Sequence, residues 1–90
     1  MNKFQVIIQK QPAKYYQKVP SNVAKLLEKA FRQLEENPFY LPGKIKRLKG
    51  MEGKWRYNTD GIRIVYEINV ADKKVGVLAI LPRGDVYKKL

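Results

Sequence analysis

The sequence has 90 residues, of which 44% are hydrophobic and ten are aromatic, enough for one folded domain but not for two separate cores. Its 19 Lys and Arg against 8 Asp and Glu give a formal net charge of +11, which favours nucleic acid, an acidic protein or an anionic membrane surface as a partner. The absence of both Cys and His excludes disulfides, thiolate chemistry and histidine acid–base catalysis and argues against a zinc site, so we expect neither a metal nor a small-molecule cofactor.

The chain begins with a short apolar segment. Residues 3–10 are rich in Val, Ile and Phe and are predicted to form a strand, which Pro12 ends. This run is too short for a signal peptide, and no stretch approaches the ~20 apolar residues of a membrane span. We therefore expect a cytoplasmic protein without a membrane partner. Pro12 also suits the first turn of a helix, placed over 12–18 because Pro20 prevents its continuation.

A second helix is predicted from Ser21, as its N-terminal cap, to Asn37-Pro38, where it ends. Its apolar residues recur with helical spacing and form one stripe: Val23, Leu27, Ala30, Phe31 and Leu34. Neither helix can bury its apolar side without a sheet, so we expect an N-terminal helical hairpin packed on one sheet face.

The second half of the chain is predicted to be mostly strand. Pro and Gly residues make 39–53 a loop, with a short extended piece at 45–48. Strand character follows over 54–59, 62–70 and 74–82. The resulting order, β-α-α-β-β-β, predicts a single α+β domain over residues 1–90 with a mostly antiparallel sheet.

Asp60-Gly61 between two strand-like runs is typical of a two-residue hairpin turn. With this turn Arg56 faces Val65 and Lys54 faces Glu67, and side chains alternate between the two faces. The apolar face then carries Trp55, Tyr57, Ile62, Ile64, Tyr66 and Ile68, and its aromatic residues are interpreted as core. The other face carries Lys54, Arg56, Asn58, Arg63, Val65 and Glu67.

A second hairpin is predicted with Asp72-Lys73 as its turn. Val70 then faces Val75 and Ile64 faces Leu81, so the end of the last strand brings Arg83 toward Arg63. Three residues of that strand are expected to form an apolar floor beside the cations: Gly76, Leu78 and Ile80.

Five residues on three segments are our candidates for catalysis: Lys54, Arg56, Arg63, Arg83 and Tyr87. Cations without matching carboxylates are unfavourable unless a polyanion lies among them, so they indicate a phosphate site and favour RNA. Cleavage of RNA by its own 2′-OH requires a proton acceptor, donors to the phosphate oxygens and stabilisation of the leaving oxygen. Arg suits the phosphate through its planar donors. Whether Lys54 accepts the proton stays open, since nearby cations favour its neutral amine and Glu67 favours its ammonium ion.

Two motifs lie on these segments: G-x-R-x-x-Y, formed by Gly61, Arg63 and Tyr66, and a terminal R-x-x-x-Y, formed by Arg83 and Tyr87. Together with LKG at 48–50 and the order of elements, they resemble the RelE/ParE superfamily of toxin–antitoxin toxins. The resemblance covers nearly the whole chain and implies a small RelE-like fold. For RelE-type members it implies a ribosome-dependent endoribonuclease that cuts mRNA in the ribosomal A site, inhibits translation and is held inactive by a cognate antitoxin.

The resemblance also implies a role for each candidate. Lys54 and Arg56 match the basic pair that supplies the base and phosphate contacts. Arg63 matches the Arg that holds the phosphate, Arg83 the Arg that stabilises the leaving group, and Tyr87 the Tyr that contacts the substrate. Arg56 replaces a Lys found in some members, and the C-terminal His of several members is missing, so Lys54 becomes the favoured base.

Two other functions remain open on the same fold. One is a ParE-like inhibitor of DNA gyrase, although such members generally lack the complete basic set and terminal Tyr. The other is a non-catalytic RNA-binding module, including a decayed toxin. A basic segment precedes the hairpin and is either a contact to ribosomal RNA or only a solvated loop: Lys44, Lys46, Arg47 and Lys49.

Overall fold

A computed structural model describes residues 3–39, 41–48, 50 and 53–81 of the chain. The elements are β1 (Gln5–Ile8), α1 (Lys10–Lys18), α2 (Ser21–Glu36), β2 (Ile45–Arg47), β3 (Lys54–Thr59), β4 (Ile62–Asn69) and β5 (Lys74–Leu81). The extended piece expected at 45–48 is thus a strand, β2, and every other predicted element is present within two residues of its predicted bounds.

The five strands form one mixed sheet in the order β1-β5-β4-β3-β2. β1 runs parallel to β5, and the three other neighbouring pairs are antiparallel. This arrangement confirms the predicted α+β class with a mostly antiparallel sheet.

The helices begin differently from their prediction. α1 starts at Lys10, two residues before Pro12, which still lies in the first turn, where its missing N–H costs no helical hydrogen bond. Ser21 is the first residue of α2 rather than its cap; Pro20 occupies the capping position, and no side chain caps the helix. The prediction that Ser21 caps α2 was therefore wrong.

The core lies between α2 and one sheet face. Leu27, Ala30 and Leu34 of the predicted stripe are buried, whereas Val23 and Phe31 are only partly buried. They belong to one cluster with sheet residues that include Tyr57, Ile64, Tyr66, Val75, Val77 and Ile80. Burial of this apolar surface is the main source of stability and fixes which sheet face the helices cover.

The first hairpin has the predicted register. Asp60 and Gly61 both adopt positive φ, 51° and 80°, as a type I′ turn requires. Lys54 pairs with Glu67, Arg56 with Val65 and Asn58 with Arg63. Each predicted face of this hairpin is confirmed.

The second hairpin does not have the predicted register. Ile68, rather than Val70, pairs with Val75, so the loop contains four residues instead of two. The side chain of Asn69 explains the longer loop, because its Oδ1 accepts a hydrogen bond from the backbone N–H of Asp72 at 3.0 Å.

A β-bulge then shifts the register once more, between Val65 and Tyr66. Val65 pairs with Ala79 and Tyr66 with Val77, which leaves Leu78 as the extra residue of β5. Beyond the bulge, Ile80 lies on the core side with no exposed surface. The prediction that Ile80 shares the polar face with Gly76 was therefore wrong.

Candidate functional site

The sheet face opposite the helices, called the open face below, collects most of the predicted candidates that the structure describes. Pairing and alternation along the strands place on it Ile7, Lys46, Lys54, Arg56, Asn58, Arg63, Val65, Glu67, Gly76, Ala79 and Leu81. Four of these residues are cations, and Glu67 is the one carboxylate among them. The described part of the open face is therefore strongly basic.

Arg56 lies in the middle of this face. It pairs directly with Lys46 of β2 on one side and with Val65 of β4 on the other. Like charges directly opposite each other in a sheet are destabilising. The Nε atom of Arg56 is buried and has no hydrogen-bond partner among the described residues. The protein itself thus provides no acceptor for this donor in the part of the chain that is described.

Arg63 extends the basic surface along β4. It pairs with Asn58 and is exposed, and it is a diagonal neighbour of Arg56 at about 7–8 Å between backbones. Two long guanidinium side chains at this separation can reach the same anion. The arrangement therefore suits a phosphate group lying between Arg56 and Arg63.

Lys54 has a different environment. Its Nζ lies 3.1 Å from Oε1 of Glu67, with the two side chains 31% and 48% exposed. The ammonium group of Lys54 therefore forms a partly exposed ion pair with this carboxylate. Lys54 also lies at the far end of the basic surface, two rows along the strands, or about 13 Å, from the level of Arg63.

The basic segment before the hairpin does not form one surface. Lys46 lies on the open face opposite Arg56. Arg47 points the other way and stacks over the ring of Trp55 at 5.7 Å. Lys44 borders a groove against α2 that also contains Tyr57, and Lys49 lies outside the described residues.

Arg83 and Tyr87 also lie outside the described residues. The predicted pairing of Ile64 with Leu81 was wrong, because Ile64 pairs with Ile80 and the β5 residue opposite Arg63 is Leu81, the last one described.

The hairpin aromatics pack in or against the core, as predicted. Tyr57 and Tyr66 are buried, and burial raises the pKa of both phenols. Tyr66 donates a hydrogen bond to the carbonyl oxygen of Pro38 at 2.7 Å. Trp55 is partly buried and packs edge-on against Phe39. None of the three side chains lies on the open face.

Neither an acidic metal-binding cluster nor a membrane-spanning helix is found among the described residues. In the described ranges, no three acidic side chains lie close enough together to hold a metal ion. Over the same ranges, no helix is long and apolar enough to cross a membrane.

One residue of the open face has a position that sequence analysis missed. The wrong second register placed Gly76 opposite Asn69, whereas Gly76 pairs with Glu67. A groove of about 590 Å³ lies at this point. The sequence signal that could have predicted the pairing of Gly76 with Glu67 is Asn69, whose side chain favours a longer turn.

The comparisons with known proteins agree with the fold. The family described as ParE toxin of type II toxin-antitoxin system, parDE, matches residues 3–87. The archaeal RelE–RelB complex from Pyrococcus horikoshii OT3 is similar with a TM-score of 0.78 and 26% identity, covering 93% of this chain and 98% of that chain. No curated protein sequence matches significantly.

Two bacterial structures share the fold. The intact Escherichia coli RelBE toxin–antitoxin complex has a TM-score of 0.74 at 21% identity, over 88% of this chain and 95% of that one. A YoeB/ParE toxin from Agrobacterium tumefaciens has a TM-score of 0.74 at 22% identity, over 86% and 95%. These likenesses confirm the predicted RelE-like fold.

Proposed function

The chain belongs to the ParE toxin family of type II toxin–antitoxin systems, and from this premise we propose that it is a RelE-type toxin that cleaves mRNA on the ribosome. The observation that carries the proposal is the direct pairing of Lys46 with Arg56 on the open face, together with the buried Nε of Arg56, which has no hydrogen-bond partner among the described residues. A sheet that opposes two cations and leaves a buried guanidinium donor unused is suited to a bound anion.

In the proposed reaction the 2′-OH of the RNA attacks the adjacent phosphate to form a 2′,3′-cyclic phosphate and gives its proton to solvent water, while the 5′-oxygen leaves and takes up a proton from water. Arg56 and Arg63 donate hydrogen bonds to the non-bridging phosphate oxygens, whose negative charge grows in the transition state. Arg83 stabilises the leaving oxygen, and Tyr87 positions the substrate, as the resemblance to RelE-type toxins implies. No metal or cofactor enters this scheme.

Lys54 fits the scheme better as a cation than as a base. Its ammonium group is paired with the Glu67 carboxylate, whereas a general base must be neutral before the reaction. We therefore give Lys54 the task of stabilising negative charge on the RNA.

The direct test is to induce the protein and map mRNA 5′ ends, together with a reaction on purified ribosomes programmed with mRNA. We expect cuts within A-site codons. Growth arrest with intact mRNA would contradict the proposal.

Loss of either arginine should remove much of the activity. We expect Arg63→Ala and Arg83→Ala each to lower the cleavage rate by roughly 10²–10³-fold, as the loss of one donor to a developing anion does. Arg32→Ala is the matched control, because Arg32 is an exposed residue of α2 and its loss changes the net charge equally. An equal loss in the control variant would point to general charge rather than to the site.

A second function is favoured by the family match itself, whose description names ParE. A ParE-like toxin would inhibit DNA gyrase without cleaving RNA. A supercoiling assay separates the two: inhibition that persists in a Lys54→Ala, Arg83→Ala double variant supports the gyrase function. Salt-sensitive RNA binding without toxicity would instead indicate a non-catalytic binding module.

We also propose a cognate antitoxin as a partner. The similar structures from Pyrococcus horikoshii and Escherichia coli are toxin–antitoxin complexes, and the basic open face suits an acidic segment of a partner. Acting on translating ribosomes places the protein in the cytoplasm. Co-expression of the neighbouring small gene should restore growth and yield a stable complex, and failure of every adjacent small gene to do so would count against this partner.

A further inference from the structure

One row of the open face has a composition that phosphate binding does not explain. Ile7, Gly76, Glu67 and Lys54 pair directly with one another across β1, β5, β4 and β3. All four line the groove of about 590 Å³. The row therefore presents an apolar side chain, bare backbone, a carboxylate and an ammonium ion in sequence.

Gly76 forms the floor of this groove. A Cβ atom at Gly76 would lie 3.5 Å from Cγ of Glu67 and 3.6 Å from its Oε2. The carboxylate thus leans over the glycine, whose missing side chain leaves space beside it. Ile7 is 39% exposed on the other side, and its backbone is about 10 Å from that of Glu67, two strand spacings away.

The two carboxylate oxygens of Glu67 have different surroundings. Oε1 accepts the hydrogen bond of Lys54 Nζ at 3.1 Å. Oε2 lies over Gly76, and no side-chain hydrogen bond to it occurs within the described residues. An ionised carboxylate only accepts hydrogen bonds, so Oε2 is an acceptor fixed in direction by Lys54 and facing a partly apolar groove.

We propose that this groove binds a base of the mRNA codon and that Glu67 makes the site selective for bases carrying an amino group. The inference rests on the proposed function and adds a specificity-determining residue to it. The base would lie over Gly76 against Ile7, with its polar edge toward Oε2. Cytosine, adenine and guanine present an amino donor to such an acceptor, whereas uracil presents a carbonyl oxygen at the corresponding position of cytosine.

Binding can be measured without any cleavage. Cytidine and uridine 5′-monophosphates are titrated into the isotopically labelled protein, and the amide signals of Gly76 and Glu67 are followed by NMR. We expect cytidine monophosphate to bind about tenfold more tightly, within the range for one specific base contact. Equal affinities, or shifts that avoid both residues, would overturn the proposal.

Three variants sharpen this measurement. Glu67→Gln should remove the preference for cytosine, because the amide supplies a donor that suits uracil. Gly76→Ala should weaken both nucleotides several-fold by filling the floor, with the methyl group in ordinary contact with Glu67. Glu36→Gln makes the same charge change at an ion pair with Lys3 and should alter neither affinity. A Glu67→Gln protein that keeps the full preference would contradict the assignment to Glu67.

Cleavage supplies the second readout. Cleavage rates are compared on ribosomes whose A-site codons differ only by cytosine or uracil at a single codon position. For one of the codon positions the wild type should cleave the cytosine codon faster, whereas Glu67→Gln should cleave both codons at the same rate. Cleavage without any such preference would overturn the assignment of the groove as a selective base-binding site, while the proposed function would still hold. Selective nucleotide binding without cleavage would overturn the proposed function, while the groove would still be a selective base-binding site.

Discussion

At the scale of single residues, Lys54 decides between two mechanisms. Its 3.1 Å contact with Glu67 stabilises a positive charge, which suits an electrostatic role, whereas a general base must be neutral before the reaction. Lys54→Arg keeps the charge and can keep the contact, so we expect its single-turnover cleavage rate to stay within about tenfold of wild type. Lys54→Met removes the charge and should lose roughly 10²-fold or more. Equal and severe losses in both variants would show that Lys54 transfers a proton.

Tyr66 has a structural task instead. Its hydroxyl donates to the Pro38 carbonyl at 2.7 Å in the core, so Tyr66→Phe leaves a buried acceptor unpaired and should cost about 1–3 kcal/mol of unfolding free energy. Burial also raises the pKa of Tyr66. The unfolded chain therefore loses this proton above about pH 10 while the folded chain retains it, and stability should fall there by up to about 1.4 kcal/mol per pH unit.

Urea denaturation at pH 7 and across pH 9.5–11 checks both statements about Tyr66. The wild type should lose stability more steeply with rising pH than Tyr66→Phe does. Parallel slopes for the two proteins would contradict the attribution to this phenol.

At the scale of elements, the two hairpins show how far sequence could predict this molecule. The first register follows from one dipeptide, Asp60-Gly61, whose positive φ angles select the turn locally. The positions of Lys54, Arg56 and Arg63 on the open face follow from that register. The second register depends on a hydrogen bond of the Asn69 side chain and on the β-bulge. Near the bulge, the side chain of Gln11 in α1 accepts a hydrogen bond from the backbone N–H of Ile80 at 3.3 Å. That contact joins residues 69 apart, which local patterns do not encode.

The difference between the two hairpins decided which residues of the site were placed correctly from sequence. Arg56 and Arg63 were placed correctly because they belong to the locally determined hairpin. The position of the Glu67 carboxylate over Gly76 was not predicted. These two residues lie on β4 and β5, and the register of that pair depends on contacts that are distant in sequence.

The first turn can be tested as an element. Gly61 has φ +80°, so Gly61→Ala forces a left-handed conformation on a residue with a Cβ and should cost about 1–2 kcal/mol. For a chain of this size, each kcal/mol lowers the melting temperature by about 4–8 °C. Gly76→Ala is the control, since its Cβ would make only ordinary contacts at 3.5–3.6 Å. If both variants melted at the same temperature, the positive φ of Gly61 would not be what stabilises the turn.

At the scale of the whole molecule, charge is abundant on both sides of the sheet, and the question is which charges bind RNA. The helices carry many exposed lysines, among them Lys25 of α2, while the open face carries cations with few carboxylates among them. A +11 protein attracts RNA over its whole surface, but only charges that neutralise phosphates in the complex release counterions.

The salt dependence of RNA affinity separates these charges. For single-stranded RNA, each neutralised phosphate adds about 0.7 to the slope of log K against log salt concentration. Lys46 pairs with Arg56 on the open face, so Lys46→Gln should reduce the slope by about 0.7, whereas Lys25→Gln should leave it unchanged. Fluorescence anisotropy of a labelled oligoribonucleotide between about 50 and 200 mM salt gives both values. Equal reductions would mean that RNA is held by diffuse charge rather than by the open face.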